Sequence, residues 1–170
     1  MPMQFREVSV SFQTKDELLK LSEELRMTYD KFLNLISDHK QIDKPLMLLL
    51  KFKGKYITER YIMSKSRIKG SCRARLDELV EMNIGVTKVK GMYYTFKPRD
   101  VSVRTAVPIK TGTWRMLSRI KLTYLFPSLE DVILYLLYKN YSKVLHAKKQ
   151  LERTDYKGAQ VDDGSDLSEA

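Results

Sequence analysis

Two stretches of this chain, one near its start and one past its middle, share a single order: an alternating segment, a short helix, a break, then a capped second helix. In the first, Arg6 to Gln13 alternates, with Val8, Val10 and Phe12 on one side and Ser9, Ser11 and Gln13 on the other. That period of two predicts a half-buried strand. Thr14 or Asp16 then suits a helix cap, and Leu18, Leu21 and Leu25 share one helical face. The chain breaks near Met27, and Thr28 caps a second helix carrying Phe32 and Ile36. The second stretch repeats this with a strand over Val103 to Lys110 and a helix around Trp114, Leu117 and Ile120. A break at Phe126 and Pro127 follows, then a long helix capped by Ser128 whose seam is Leu129, Val132, Ile133, Leu136 and Val144. Leu18, Leu21 and Ser22 match Trp114, Leu117 and Ser118, although the spacing between the helices then differs, so the repeat is loose.

The segment between them reads differently. Asp43 and Pro45 suit the cap and first turn of a helix that Gly54 closes. Thr58 and Glu59 open a short helix through Met63, and Ser64 to Gly70 forms a basic, polar turn. An amphipathic helix starts at Lys69 or Ser71 and runs to Met82, with Leu76, Leu79 and Val80 inward. Val86 to Lys97 is then a hairpin turned by Gly91. The fold class expected is α+β. Its divisions are 1–41, 42–100, 101–153 and a tail over 154–170.

Charge narrows the partners. The net charge is +10, and it is uneven. From Thr154 onward five acidic residues stand against one basic residue, so the rest of the chain is more basic still. A body of that sign attracts polyanions, nucleic acid first and an anionic membrane surface second. The acidic tail is expected to be disordered and to compete with a polyanion for the basic body. The lone cysteine, Cys72, allows no internal disulfide and suits a reducing cytosol; its place on a helix marks it as a small core residue. The polar N-terminus is unlike a leader peptide, and the run Leu46 to Leu50 is too short to span a bilayer. A cytoplasmic protein is expected, with no membrane partner.

No catalytic pattern stands out. His39 and His146 lack ligand spacing, so no metal site and no cofactor are expected. Glu23 with Glu24, Asp77 with Glu78 and Glu130 with Asp131 are adjacent on helices, where neighbours diverge; they read as solubilising or capping charges. Phosphate-loop, serine-hydrolase and zinc-protease signatures are missing from the sequence. The expectation is a protein that is not an enzyme.

On these residues, the stretches from Arg6 to His39 and from Val103 to Tyr141 each resemble the ribbon-helix-helix fold of Arc- and MetJ-type repressors. In that fold a strand pairs with the strand of a second copy, and the ribbon enters the major groove of DNA. The resemblance implies that Ser9, Ser11 and Gln13 face DNA from the first strand, and Arg104 and Lys110 from the second. It also implies that Thr28 and Ser128 sit at phosphate-gripping helix starts. Pro108 departs from the pattern, because it removes a ladder donor. The half-units need partners: either each other, as a pseudo-dimer within one chain, or a second chain in a homodimer.

The middle, Ile42 to Phe96, resembles a winged helix-turn-helix domain, best over Ser66 to Leu79. The resemblance implies a recognition helix led by Lys65, Arg67, Lys69, Ser71, Arg73 and Arg75, with small Gly70 and Ala74 allowing close approach. Lys88 and Lys90 would lie on the wing. The function implied is sequence-specific binding of double-stranded DNA, as a transcriptional regulator or a plasmid or viral partition or copy-control protein, associated with the nucleoid. An architectural DNA-coating protein and a winged-helix module for protein contacts are the alternatives. The basic residues Lys139, Lys143, Lys148, Lys149 and Arg153 either track phosphate or stay solvated.

Overall fold

The computed structural model describes residues 4–100 and 102–169, with side chains through Tyr156. Met1 to Met3 and Val101, which bound two of the expected divisions, lie outside the described residues. The chain is α+β, with helices dominating and two small antiparallel sheets.

Strand β1 (Phe5–Ser11) leads directly into α1 (Phe12–Glu24) and α2 (Tyr29–Leu35). The strand stops two residues earlier than its alternation predicts. The cause is Ser11, whose Oγ accepts the Thr14 N–H at 3.3 Å and so caps α1. Once that cap forms, Phe12 and Gln13 take helical backbone and Phe12 turns outward. Ser22, buried in mid-helix, satisfies its hydroxyl by donating to the Leu18 carbonyl at 2.6 Å.

Strand β5 (Arg104–Lys110), α6 (Thr111–Tyr124) and α7 (Leu129–Lys139) repeat this arrangement. The two strands pair with each other, antiparallel, with Val8 opposite Val107 at the centre of the register. Val8, Val10, Val107 and Ile109 are buried beneath the ribbon, each contributing about 1.5–3 kcal/mol of burial. Counting outward from the strands aligns Thr14 with Thr113 and Leu18 with Leu117. Arg26 and Leu125 also coincide, both left-handed at the ends of their first helices (φ 56 and 58). The sequence alignment of the halves, which set Leu18 against Trp114, is therefore displaced by a turn.

The two halves are tied by reciprocal carboxylates. Asp30, in the first turn of α2, accepts the Lys110 N–H and the Thr113 hydroxyl, each at 2.8 Å. Glu130, in the first turn of α7, accepts the Ser11 N–H at 2.6 Å and pairs with Arg104 at 3.2 Å. Each second helix thus reaches across to the strand–helix junction of the other half. Glu130 and Asp131 are buried, so neither is a solubilising charge; Asp131 is the capping charge of the two, accepting the Ser128 hydroxyl at 3.1 Å, and Glu130 is an internal connector.

Between the halves lie α3 (Lys44–Lys51), β2 (Ile57–Thr58), α4 (Glu59–Ser66), α5 (Arg73–Glu81), β3 (Val86–Val89) and β4 (Tyr93–Phe96). Asp43 caps α3 and Thr58 caps α4. The three strands order as β2-β4-β3. The hairpin turns through Lys90 and Gly91, both at positive φ (55 and 69), a backbone twist that matches the strands it joins. Helix α4 extends to Ser66, so three of the seven residues of the expected polar turn are helical. Helix α5 begins at Arg73, later than expected.

Helix α7 holds the inserted unit in place. Residues Glu130 to Tyr138 are all buried. The Tyr135 hydroxyl accepts the Asp43 N–H at 3.0 Å, and burial pushes that phenol up to about 12. Lys53 pairs with Asp131, and the Tyr138 hydroxyl sits among Glu17 and Arg99. The long helix expected from Ser128 instead breaks at Asn140. That side-chain amide donates to the carbonyls of Ile36 and Asp38 at 2.8 and 2.9 Å and caps α7. Helix α8 (Tyr141–Glu169) follows. It is anchored by Lys148 to Glu24 and by Arg26 to Asp155, and its backbone is helical to Glu169. Extending a formed helix is far easier than nucleating one.

Replacing Asp30 or Glu130 by Ala should leave junction N–H groups without acceptors and cost about 1–3 kcal/mol each. Thermal unfolding should show a drop of several degrees, whereas Glu130→Gln, which keeps an acceptor oxygen, should recover part of it. Unchanged melting in both Ala variants would contradict the cross-half tie.

Candidate nucleic-acid interface

The most cation-rich exposed feature among the expected site residues is the turn from α4 into α5. Helix α4 ends on Arg67, held left-handed (φ 54), a conformation that costs a residue with a Cβ about 1–2 kcal/mol. Half-buried Ile68 anchors the turn while its N–H donates to the Met63 carbonyl at 3.0 Å. Gly70 (φ 89) then redirects the chain, a conformation for which glycine is suited. Lys65, Arg67 and Lys69 are exposed and make no ion pair among the described residues. Lys44, not singled out from the sequence, braces the same turn by donating to the Ser66 carbonyl at 2.9 Å.

Glu59 organises the start of α5. It accepts the Ser71 hydroxyl at 2.7 Å and Arg73 Nε at 3.1 Å, and Ser71 Oγ accepts the Arg73 N–H at 3.2 Å. The Ser71 hydrogen bond above all, then Arg73, holds the Glu59 carboxyl below its ordinary range. Arg73 remains 67% exposed, so its guanidinium is oriented yet open to solvent. Ala74 beside it is exposed and small, and Cys72 is buried, its thiol pushed up by that burial.

Arg75 has a different role from the one expected. Its side chain is 25% exposed and all three nitrogens are engaged. Nε and one terminal nitrogen reach Asp43 at 2.9 and 2.6 Å, and the other reaches Glu78 at 2.9 Å. One also donates to the Tyr138 carbonyl at 3.4 Å. Arg75 thereby ties α5 to the cap of α3 and the end of α7, which leaves it no free edge for a base.

On the hairpin, Lys88 lies over the Tyr94 ring and pairs with Asp77 at 3.3 Å. Asp77 is lowered chiefly by the Tyr94 hydroxyl, and Lys88 is raised by Asp77. Lys90, at the tip, is exposed and makes no ion pair among the described residues.

The ribbon presents a second surface. Residues opposite each other across an antiparallel pair share a face, so Phe5, Glu7, Ser9, Ala106, Pro108 and Lys110 point outward together. Arg104 lies across this face, donating to Ser9 Oγ and the Ser9 carbonyl at 3.2 and 2.9 Å. Ser11 is fully buried, because capping α1 turns it inward; its expected outward position is corrected. Gln13 is exposed, but on the first turn of α1. Thr28 and Ser128 cap α2 and α7 by accepting the N–H groups of Lys31 and Asp131 at 3.3 and 3.1 Å. Asp30, Glu130 and Asp131 place carboxylates in those first turns, where the resemblance calls for a phosphate.

Phe5, Glu7, Glu59 and Lys44 are the residues that sequence reasoning missed. Phe5 and Glu7 follow from extending the alternation backwards from Ser9. Glu59 and Lys44 meet their partners through chain reversals that no local spacing records. Among the described residues no group of three or more His, Cys, Asp or Glu is placed to hold a metal ion. No helix there is long and apolar enough to cross a membrane. Compared with family models, with curated proteins and with solved structures, the chain matches none.

The two arginines of α5 should separate experimentally. Arg75→Ala strands a largely buried Asp43 and should lower stability in urea by about 1–3 kcal/mol. Arg73→Ala removes only an exposed ion pair and should cost less than about 1 kcal/mol. Equal costs would contradict this division of labour.

Proposed function

We propose that this chain binds double-stranded DNA in a sequence-specific way and without catalysis. It would act as a transcriptional regulator or as a partition or copy-control protein of a plasmid or virus. In this reading the inserted unit works as a winged helix and the two strand–helix–helix halves work together as one ribbon-helix-helix unit, a pseudo-dimer within one chain. Supporting the first is the order helix, strand, helix, helix, hairpin with the sheet ordered β2-β4-β3. Supporting the second is the pairing of β1 with β5 about Val8 and Val107.

The observation that carries the reading is the group of exposed cations at the entrance to α5 and on the hairpin tip, Lys65, Arg67, Lys69 and Lys90, which have no carboxylate partner among the described residues. Arg75 and Arg104, by contrast, are balanced internally. Cations left unbalanced on a protruding turn suit phosphates, whose neutralisation releases counterions. In this reading Arg73, at the start of α5, and Ser71, in the turn before it, read base edges: Glu59 holds both, and a held guanidinium has less freedom to lose on pairing with guanine. Ser9 and Lys110 offer polar groups from the ribbon. Arg75 belongs to the fold, and Ser11, Thr28 and Ser128 serve as caps.

Binding to a selected duplex should exceed binding to random duplex by roughly a thousandfold or more. The triple change of Lys65, Arg67 and Lys69 to Ala should weaken both. It should also reduce the slope of log affinity against log salt by about one unit for each phosphate no longer neutralised. Titration by fluorescence anisotropy across salt concentrations measures this. An unchanged slope would remove the turn from the interface, and failure to retain any duplex at low salt would remove the function.

A further inference from the structure

The ribbon's two faces obey different rules. An axis through the central Val8–Val107 pair exchanges β1 with β5. On the packed face that exchange carries Val8 to Val107 and Val10 to Ile109, so the buried core keeps its shape and polarity, and only at the rim does it set Arg6 against Thr105. On the outward face it carries Glu7 to Ala106, Ser9 to Pro108, Phe5 to Arg104 and Ser11 to Lys110. Every outward exchange changes the chemistry: a carboxylate for a methyl, a hydroxyl for a ring, a phenyl for a guanidinium, a buried cap for an ammonium.

The two ends of the ribbon differ correspondingly. At one end Phe5, 56% exposed, stands opposite Lys110, whose ammonium makes no ion pair among the described residues. At the other, Ser11 is buried and the Arg104 guanidinium is tethered to Ser9 and to Glu130. Glu7 lies between the Phe5 end and the centre. A ribbon of two identical strands must present the same groups to both half-sites; this one does not.

We infer that the ribbon reads a non-palindromic duplex site, with one chain per site and base discrimination concentrated under Phe5, Glu7 and Lys110. This rests on the DNA-binding reading above. In a major groove a lysine donates to the O6 and N7 acceptors of guanine, a carboxylate accepts from the cytosine amino group, and apolar groups meet the thymine methyl. The half-site under the Phe5 end is accordingly read for guanine and cytosine edges with an adjacent thymine methyl. The half-site under Arg104 is read weakly.

The test is selection of bound sequences from a random duplex pool by the full chain and by its Lys110→Ala and Glu7→Gln variants, with the mass of each complex measured by ultracentrifugation. Both changes are at exposed side chains; the Lys110 N–H that bonds Asp30 is backbone and is kept. Circular dichroism checks the fold. One chain per duplex is expected. Each variant should lose about tenfold in preference at its own position, and the altered positions should have no mirror-related counterparts in the consensus. A two-fold symmetric consensus, two chains per site, or consensus sequences unchanged in both variants would overturn this inference while leaving DNA binding intact. Retention of no duplex by the unaltered chain would overturn the parent reading and this one with it.

Discussion

The pairing of β1 with β5 is the constraint on which the rest depends. A strand alone leaves its backbone donors and acceptors unmatched, and in this chain each of these two strands has only the other as a partner among the described residues. Their antiparallel register brings the start of the described chain against a segment more than ninety residues further on. Everything between them must leave one half and return to the other within that closure. The inserted unit does so, and α7, buried between the ribbon and α3, makes it part of one packed body.

Closing the ribbon within one chain has electrostatic consequences. Asp30 and Glu130 are spent on the junction N–H groups of the opposite half, and Arg104 compensates Glu130. Asp131 is compensated by Lys53 and Asp43 by Arg75. Much of the charge near α7 is therefore consumed internally, so the net basicity of the chain is not spread evenly over the surface. Lys65, Arg67, Lys69, Lys90 and Lys110 are among the exposed cations that no ion pair consumes among the described residues, and the first three stand together at the α4–α5 turn.

Local chemistry was legible in the sequence where one side chain acts on its own backbone. Thr28, Asp43, Thr58 and Ser128 cap helices where their spacing indicates, and Val8, Val10, Val107 and Ile109 alternate into the core. Features decided by distant partners were not legible. Ser11 reads as an outward strand residue until its cap with Thr14 is seen. Asn140 interrupts the seam between Leu136 and Val144, but that it ends α7 there depends on its distant bonds to the Ile36 and Asp38 carbonyls. Arg75 stands two residues from Arg73 on the same helix, yet Asp43 and Tyr138 claim it. Glu130 reads as a capping or surface charge because nothing nearby in sequence announces Ser11 and Arg104.

The central claim is that a single chain builds its own ribbon and turns the entrance of α5 toward a duplex. Amide hydrogen exchange at nanomolar concentration, with and without a selected duplex, addresses both parts at once. The account predicts slow exchange across Val8 and Val107 in the free protein, independent of concentration. It also predicts further slowing on DNA within Lys65 to Arg73 and at Lys90. Concentration-dependent protection of the strands, or a bound duplex that leaves the α4–α5 turn and the hairpin tip unslowed, would contradict it.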